Sequence, residues 1–209
     1  MARYNGPTCR KCRRFGEKLF LKGERCLLSK CACERRMYPP GQARTARRRK
    51  LSEWGQQLME KQKARVVYGV LERQFRHHLE QAGKLPGLTG ENLLQVLERR
   101  LDNVIFRLGL GQSRRQARQL ALHGHFLING RMARTPSILL SEGDEIAVSQ
   151  KSRSLDFFKE AARELKGKSI PGWLSLDPEN MKGRVQALPG RGDIDAKISE
   201  QDIVEHYSR

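Results

Sequence analysis

Residues 91–130 read ENLLQVLERRLDNVIFRLGLGQSRRQARQLALHGHFLING, and the hydrophobic period changes within that one stretch. Leu94, Leu97, Leu101, Val104 and Leu108 recur at spacings of three and four. That pattern predicts one helix from Glu91 to Leu108 with a single buried face, and Arg99, Arg100 and Arg107 fall largely off it. Gly109 and Gly111 end the helix, and Ser113 is placed to cap a second one over Arg114 to His123. Gly124 stops that helix, and the period becomes two. Phe126-Leu127-Ile128 followed by Asn129-Gly130 predicts a hairpin with a type I′ turn, because both turn residues tolerate positive φ. Ser137–Leu140 and Glu145–Ser149 supply further short strands around Ser141-Glu142-Gly143. Residues 91–150 are thus expected to be two helices packed on a small sheet, the centre of an α+β protein.

Upstream, Ser52 is a candidate N-cap for a helix through about Tyr68. Leu51, Trp54, Leu58 and Val66 form its expected apolar stripe, with Lys61, Lys63 and Arg65 mostly outside. A second helix is expected over Leu71 to Ala82. Residues 1–42 read as irregular: Gly6-Pro7, Gly23 and Pro39-Pro40-Gly41 mark turns, and only Lys18–Lys22 looks extended. Downstream, Leu155–Leu165 reads as a helix, the remainder as turn-rich with a Trp173-Leu174-Ser175-Leu176 segment, and Ile198–Tyr207 as either strand or short helix. Trp54, Phe75, Phe106 and Trp173 are expected in cores rather than as base-stacking platforms. Four parts follow: an N-terminal extension (1–42), a basic arm with the first helices (43–90), the helix–sheet unit (91–150), and a C-terminal part (151–209) packing back on the helical domain.

The chain of 209 residues carries 41 Lys and Arg against 23 Asp and Glu, a net charge of +18. Self-repulsion of that size opposes compaction unless a polyanion relieves it. The charge is lopsided: residues 1–50 hold 16 basic and 3 acidic groups, whereas residues 151–209 hold 11 and 10. Nucleic acid is the first candidate partner. No apolar run approaches the roughly 20 residues of a membrane span. The N-terminus lacks the apolar stretch of a signal peptide, so a reducing compartment is expected.

All five cysteines lie in the first fifty residues, four of them spaced Cys9-x2-Cys12-x13-Cys26-x4-Cys31, with Cys33 left over. Paired short-range cysteines separated by a loop suit a tetrahedral ion, and Cys9, Cys12, Cys26 and Cys31 are the candidate ligands of a closed structural site. The alternative is a set of reduced free thiols. A segment with so little core needs such a pin for its order.

Arg114, Arg115 and Arg118 share one turn, with no acid between Arg107 and Arg134 in sequence. A helix edge gripping phosphates of A-form RNA explains that run better than a solvated charged face. His123 and His125 flank Gly124, within reach of RNA or packed at the helix end. Arg44, Arg47, Arg48, Arg49 and Lys50 read as an arm ordered on binding, or as a solubilising run. No Ser/His/Asp set, phosphate-binding loop or His-Glu-x-x-His motif accompanies these features. Asp102 is better placed to orient the helix pair through neighbouring arginines than to act as a nucleophile.

These residues resemble a known family. Arg100-Leu101-Asp102-Asn103-Val104, Arg107-Leu108-Gly109, Ser113 to Leu120, His123-Gly124-His125, Asn129-Gly130 and Gly143-Asp144-Glu145-Ile146 resemble the S-four RNA-binding domain. That domain also occurs in pseudouridine synthases, some tRNA synthetases and a heat-shock protein. Leu21 to Cys26, Pro39-Pro40-Gly41-Gln42, Tyr68 to Phe75, Pro171-Gly172-Trp173-Leu174 and Tyr207-Ser208-Arg209 extend the likeness to the bacterial small-subunit ribosomal protein S-four family over nearly the whole length. Ala43-Arg44, Met59 and the additional Cys33 depart from the family pattern.

The resemblance implies a non-catalytic constituent of the small ribosomal subunit, cytoplasmic and on the ribosome. It implies a primary assembly protein that recognises a folded junction in the 5′ domain of the small-subunit rRNA by shape. It further implies contact with ribosomal protein S-five, an influence on decoding accuracy, a place for Arg44, Arg47, Arg48 and Arg49 near incoming mRNA, and repression of the protein's own mRNA. The implied RNA contacts are those already named together with Arg3, Lys61, Lys63, Arg73, Arg76, Arg99, Arg100, Arg107, Ser113 and Arg131. Family habit favours Zn²⁺ on the four cysteines, with an iron–sulfur cluster on the same ligands as the alternative. The competing class, an RNA-modifying enzyme using the same anchor, needs a catalytic domain larger than the 59 residues after Gln150.

Overall fold

The computed structural model describes residues 4–41, 50–165, 167–194 and 197–208. It is an α+β fold with helices α1 (Cys9–Phe15), α2 (Ala32–Arg35), α3 (Glu53–Tyr68), α4 (Glu72–Gly83), α5 (Thr89–Glu98), α6 (Leu101–Arg107), α7 (Arg114–Leu122), α8 (Gln150–Arg153), α9 (Asp156–Leu165) and α10 (Glu200–Ser208). Its strands are β1 (Phe126–Ile128), β2 (Arg131–Ala133), β3 (Glu145–Val148), β4 (Leu174–Asp177) and β5 (Lys182–Val185). The chain divides into two compact units, Met1–Leu93 with Ala196–Arg209, and Leu94–Asp195.

In the first unit, Ser52 caps α3 by accepting the Gly55 N–H, as the sequence predicts. The buried face of α3 is nevertheless rotated from the expected stripe. Gln57, Lys61, Ala64, Val67 and Tyr68 point inward, while Leu51 and Trp54 are exposed, Trp54 by 51%. The cause is α10, which resolves as a helix and brings matching polar groups. Gln57 Nε2 donates to Glu205 at 2.8 Å, and Lys61 lies over the Tyr207 ring at 5.1 Å while pairing with Glu72 at 3.3 Å. The bonds of Gln57 Nε2 and Lys61 offset their burial and override the apolar pattern here, although Gln57 Oε1 is buried without a hydrogen-bond partner among the described residues. Burial alone would push Glu72 up, but the Tyr207 hydroxyl, Arg65 and Lys61 outweigh it and hold Glu72 below its ordinary value. In the N-terminal extension Lys18–Lys22 forms no strand. The order there is α1, a single 3₁₀ turn at Gly23–Cys26, and α2 packed on α1.

The second unit holds a five-stranded antiparallel sheet in the order β2-β1-β3-β5-β4. β1 and β2 form the expected hairpin, with Asn129 and Gly130 at φ 48° and 80°, the two positive values that a type I′ turn requires. Behind the sheet lie Leu101, Val104, Ile105, Leu108, Phe126, Leu140, Ile146 and Phe158. Each fully buried side chain of this kind contributes roughly 1.5–3 kcal/mol. The domain boundary differs from the one expected at residue 150. β4 and β5 complete the sheet and Phe158, Leu165 and Trp173 enter its core, so residues 151–195 belong with this unit. Only the last residues, carrying α10, join the first unit.

The single helix expected over Glu91 to Leu108 is broken. α5 ends at Glu98, α6 starts at Leu101, and Arg100 between them is extended. The peptide groups at the break bond sideways instead of along a helix. The N–H of Leu101 donates to Ile138 O at 2.8 Å, and the N–H of Leu140 donates to Arg99 O at 2.9 Å. This also accounts for Ser137–Leu140, which forms one isolated bridge, Arg100 with Leu139, rather than a strand of the sheet. Both halves keep the buried face, which is why the apolar spacing runs through the joint unbroken.

Candidate nucleic-acid interface

The break between α5 and α6 builds the most structured polar site of the second unit. It places two buried carboxylates, Glu98 and Asp102, beside the arginines of α6 and α7. Glu98 has no exposed surface. Its carboxylate accepts Arg107 Nε at 3.0 Å, Arg107 Nη2 at 2.9 Å and Asn103 Nδ2 at 2.6 Å. The Asn103 carbonyl in turn accepts Arg114 Nε at 2.7 Å, and the Arg114 guanidinium covers the Phe106 ring at 4.6 Å. Asp102 takes Arg100 through two bonds, 3.1 and 2.9 Å, and Arg118 Nη1 at 2.7 Å. Bidentate and charge-assisted bonds of this kind fix orientation as well as energy. Four guanidiniums are held by two carboxylates, so the cluster keeps an excess of positive charge. The orienting role expected of Asp102 is the one its geometry gives it.

The arginines read from sequence as one outward edge therefore divide. Arg100 and Arg107 are structural: both side chains are almost wholly enclosed and paired. Arg114 and Arg118 are partly covered and paired on one side, Arg115 is exposed, and Arg99 is half-buried with its Nε on Leu140 O at 2.7 Å. Ser113 caps α7 by accepting the Gln116 N–H at 3.3 Å, so its hydroxyl is engaged inside the fold. Ser113→Ala is expected to lower stability by about 1 kcal/mol in urea unfolding. Lys61 and Lys63 are corrected from outward to inward positions, with 7% and 8% of their surface exposed. Lys63 pairs with Glu17 at 2.8 Å and Glu60 at 3.6 Å. Lys50, Arg73, Arg76 and Arg131 are exposed; Arg73 and Arg76 flank a shallow recess on α4 with His77. Arg3, Arg44, Arg47, Arg48 and Arg49 lie outside the described residues.

At the end of α7, His123 is exposed and His125 is half-buried, its Nδ1 2.8 Å from Ser152 Oγ and its ring against Phe158. Burial, and then the neighbouring His123, push His125 below the ordinary histidine value. A histidine harder to protonate when folded gives stability that is present above its unfolded value and declines as pH falls through that range. Unfolding free energy of the second unit is expected to decline on going from neutral to mildly acid pH, and His125→Phe to flatten that decline. Sequence reasoning missed Arg134, exposed on the same surface: a Cβ placed on Gly124 would lie 3.2 Å from its Nε. It also missed Glu98 and Asn103 as organisers, because their arginine partners are close in space and not adjacent in the chain.

The thiols form a separate cluster in the first unit. Cys12, Cys26, Cys31 and Cys33 are buried and Cys9 is half-buried. Burial pushes the Cys12 thiol up, a backbone hydrogen bond from Leu19 pulls it down, and nearby Cys26, Cys33 and Cys9 push it up again. The Lys22 N–H donates to Cys26 Sγ at 3.4 Å. Gathered sulfurs that accept backbone N–H groups are the right donors for a thiolate-bound ion. Among the described residues, however, no three His, Cys, Asp or Glu side chains stand in ligating geometry. The fit therefore rests on donor chemistry and not on a formed site. Among the described residues no helix is long and apolar enough to cross a membrane.

Comparison with known proteins agrees with this architecture. Residues 3–98 match the ribosomal protein S4/S9 N-terminal domain, and residues 99–146 match the S4 domain. The chain is 56% identical to the small ribosomal subunit protein uS4 of Desulforamulus reducens, 54% to that of Halothermothrix orenii and 53% to that of Thermus thermophilus. Each alignment spans 209 residues and the whole of both proteins. With both domains matched and identity above one half along the full length, the chain belongs to the family of small ribosomal subunit protein uS4.

Proposed function

We propose that this chain is a structural, non-catalytic rRNA-binding protein that nucleates folding of the 5′ domain of the small-subunit rRNA. The observation that carries the reading is the carboxylate-organised arginine cluster on α6 and α7, which keeps a positive excess in fixed orientation. A-form RNA hides its base edges in a narrow major groove, so recognition by rigidly placed cations reads shape and phosphate geometry. Arg115, with Arg131 and Arg134 on β2 and the strand's end, offers exposed cations to phosphates. Neutralising phosphates at a junction lets further RNA helices pack and other small-subunit proteins join, ribosomal protein S-five among them. An influence on decoding accuracy, the Arg44–Arg49 arm beside incoming mRNA, and repression of the chain's own mRNA follow from the same shape-based binding. Cosedimentation with small ribosomal subunits through a high-salt cushion tests this: retention at stoichiometry supports it. A protein that washes off and turns over an RNA substrate contradicts it.

We further propose a structural Zn²⁺ on Cys9, Cys12, Cys26 and Cys31, with an iron–sulfur cluster on the same ligands as the second reading. When bound, the ion supplies a closed cross-link and no open position for chemistry. The chain's own residues supply the thiolates, the N–H donors of Leu19 and Lys22, and the burial that excludes water. Metal analysis of purified protein with Cys26→Ser as control tests it. Full folding of the extension in the absence of metal contradicts it.

A further inference from the structure

The outer face of the sheet carries an apolar side chain in a frame of cations. β2 is an edge strand, and its Ala133 pairs with Phe126 of β1 on the core side. Side chains alternate along a strand, so the next pair, Leu127 with Met132, lies on the opposite face. Met132 is 56% exposed. Gly124, buried and at φ 76°, lies beneath it: a Cβ there would stand 3.2 Å from Met132 Sδ and 3.2 Å from Arg134 Nε. The two side chains thus meet over bare backbone. His123 is exposed beside Gly124, its ring 6.0 Å from that of His125, which Ser152 and Phe158 hold in place. Arg131 and Arg134 are exposed and enter no ion pair among the described residues, and residues 103–141 contain no acid. On the neighbouring strand β3, Glu145 is already paired with Lys182 at 2.8 Å. One exposed methionine by itself is ordinary. A polarisable apolar side chain between two such arginines, above a glycine, is a surface for a flat ring that carries a negative charge beside it.

We propose that Met132, Arg134 and His123 form a platform for one unstacked base of the RNA, with Arg131 on the phosphate next to it. The inference rests on the rRNA-binding reading given above and adds a second kind of contact to it. RNA junctions and bulges present splayed bases, and these stack on histidine rings and guanidinium planes. The face of the Arg134 guanidinium meets the base while its edge keeps donors for a phosphate. Met132 adds apolar contact to the same ring and no charge. Every base has a π face, so such a platform accepts any of the four and is compatible with recognition by shape. A surface that only neutralised phosphates would gain nothing from Met132.

Binding of the full chain to the folded 5′ domain of small-subunit rRNA tests this with Met132→Ser, which removes apolar surface and leaves charge unchanged. The variant is expected to keep the wild-type urea midpoint, because the side chain is exposed. Its affinity is expected to fall roughly five- to tenfold, the lower end of the range for losing one stacked base. The slope of log affinity against log salt should stay at the wild-type value, since no phosphate contact is lost. Met132→Leu should restore most of the affinity. Chemical probing of the bases in the saturated complexes gives a readout apart from affinity. One unpaired base protected by the wild type should become reactive with Met132→Ser, while the backbone footprint is retained. Unchanged affinity, or an unchanged base pattern, overturns the platform. Normal RNA binding by Met132→Ser together with poor retention on assembled subunits assigns Met132 to a protein contact and likewise overturns it. A wild type that fails to bind the RNA at all overturns the rRNA reading itself.

Discussion

Glu98→Ala is expected to destabilise the second unit by about 3–5 kcal/mol, the range for removing one partner of a buried ion pair. The wild-type carboxylate is fully enclosed and satisfies Arg107 through two bonds and Asn103 through one. Truncation leaves the Arg107 guanidinium almost completely buried with its counter-charge gone, and costs the desolvation of that cation as well as the bonds. Trp173 is buried in the same unit and reports its unfolding in urea by fluorescence. Arg115→Ala, an exposed change, should stay within about 0.5 kcal/mol in the same assay. A Glu98→Ala loss below about 1 kcal/mol would show that the carboxylate is not an organiser. The RNA affinity of the folded variant makes a sharper point. Deleting a carboxylate adds net positive charge, so uniform electrostatics predicts tighter binding. Organisation predicts weaker binding, because Arg114 loses its ion pair with Glu98 at 4.0 Å, and Asn103, which braces Arg114, loses its side-chain bond to Glu98 and keeps only the one to the Glu98 backbone carbonyl.

Much of the second unit was legible because its signals are local. The Asn129-Gly130 hairpin, the Ser113 cap and the α9 pattern depend on neighbours in sequence, and each formed where expected. What escaped reading depends on groups that meet only in space. The helix joint at Arg99–Arg100 is dictated by carbonyls at Pro136 and Ile138, some 36 residues away, while the apolar spacing passes through the joint unchanged. The inward turn of Lys61 and Gln57 depends on α10, whose own pattern was ambiguous between strand and helix. The arginine run looked unopposed because no acid lies between Arg107 and Arg134, yet Glu98 and Asp102 precede it and reach back across the α6–α7 turn. Charge patterning along the chain thus singled out α7 but overcounted its outward cations. The thiol spacing singled out Cys9, Cys12, Cys26 and Cys31, and the fold buries the last three while leaving Cys9 half-buried.

The second large effect concerns RNA directly. Neutralising Arg115, Arg131 and Arg134 together to glutamine leaves Glu98, Asp102 and the core untouched, so the fold should survive with its caps and sheet intact. Abolishing one arginine–phosphate pairing takes roughly 0.7–0.9 off the slope of log affinity against log salt. Removing three such pairings should reduce that slope by about 2 and lower affinity by on the order of a hundredfold or more at moderate salt. On the proposed reading the weakening is uniform across RNA sequences of the same fold, because cations that meet backbone read no base edges.

The measurement that tests the central claim most directly is therefore the salt dependence of binding to the folded 5′ domain of small-subunit rRNA. Wild type, the triple glutamine variant and Glu98→Ala are compared at a temperature where all three are folded. The account predicts a shallower slope for the triple variant, and for Glu98→Ala a weaker affinity despite its added positive charge. An unchanged slope in the first and tighter binding in the second would contradict it.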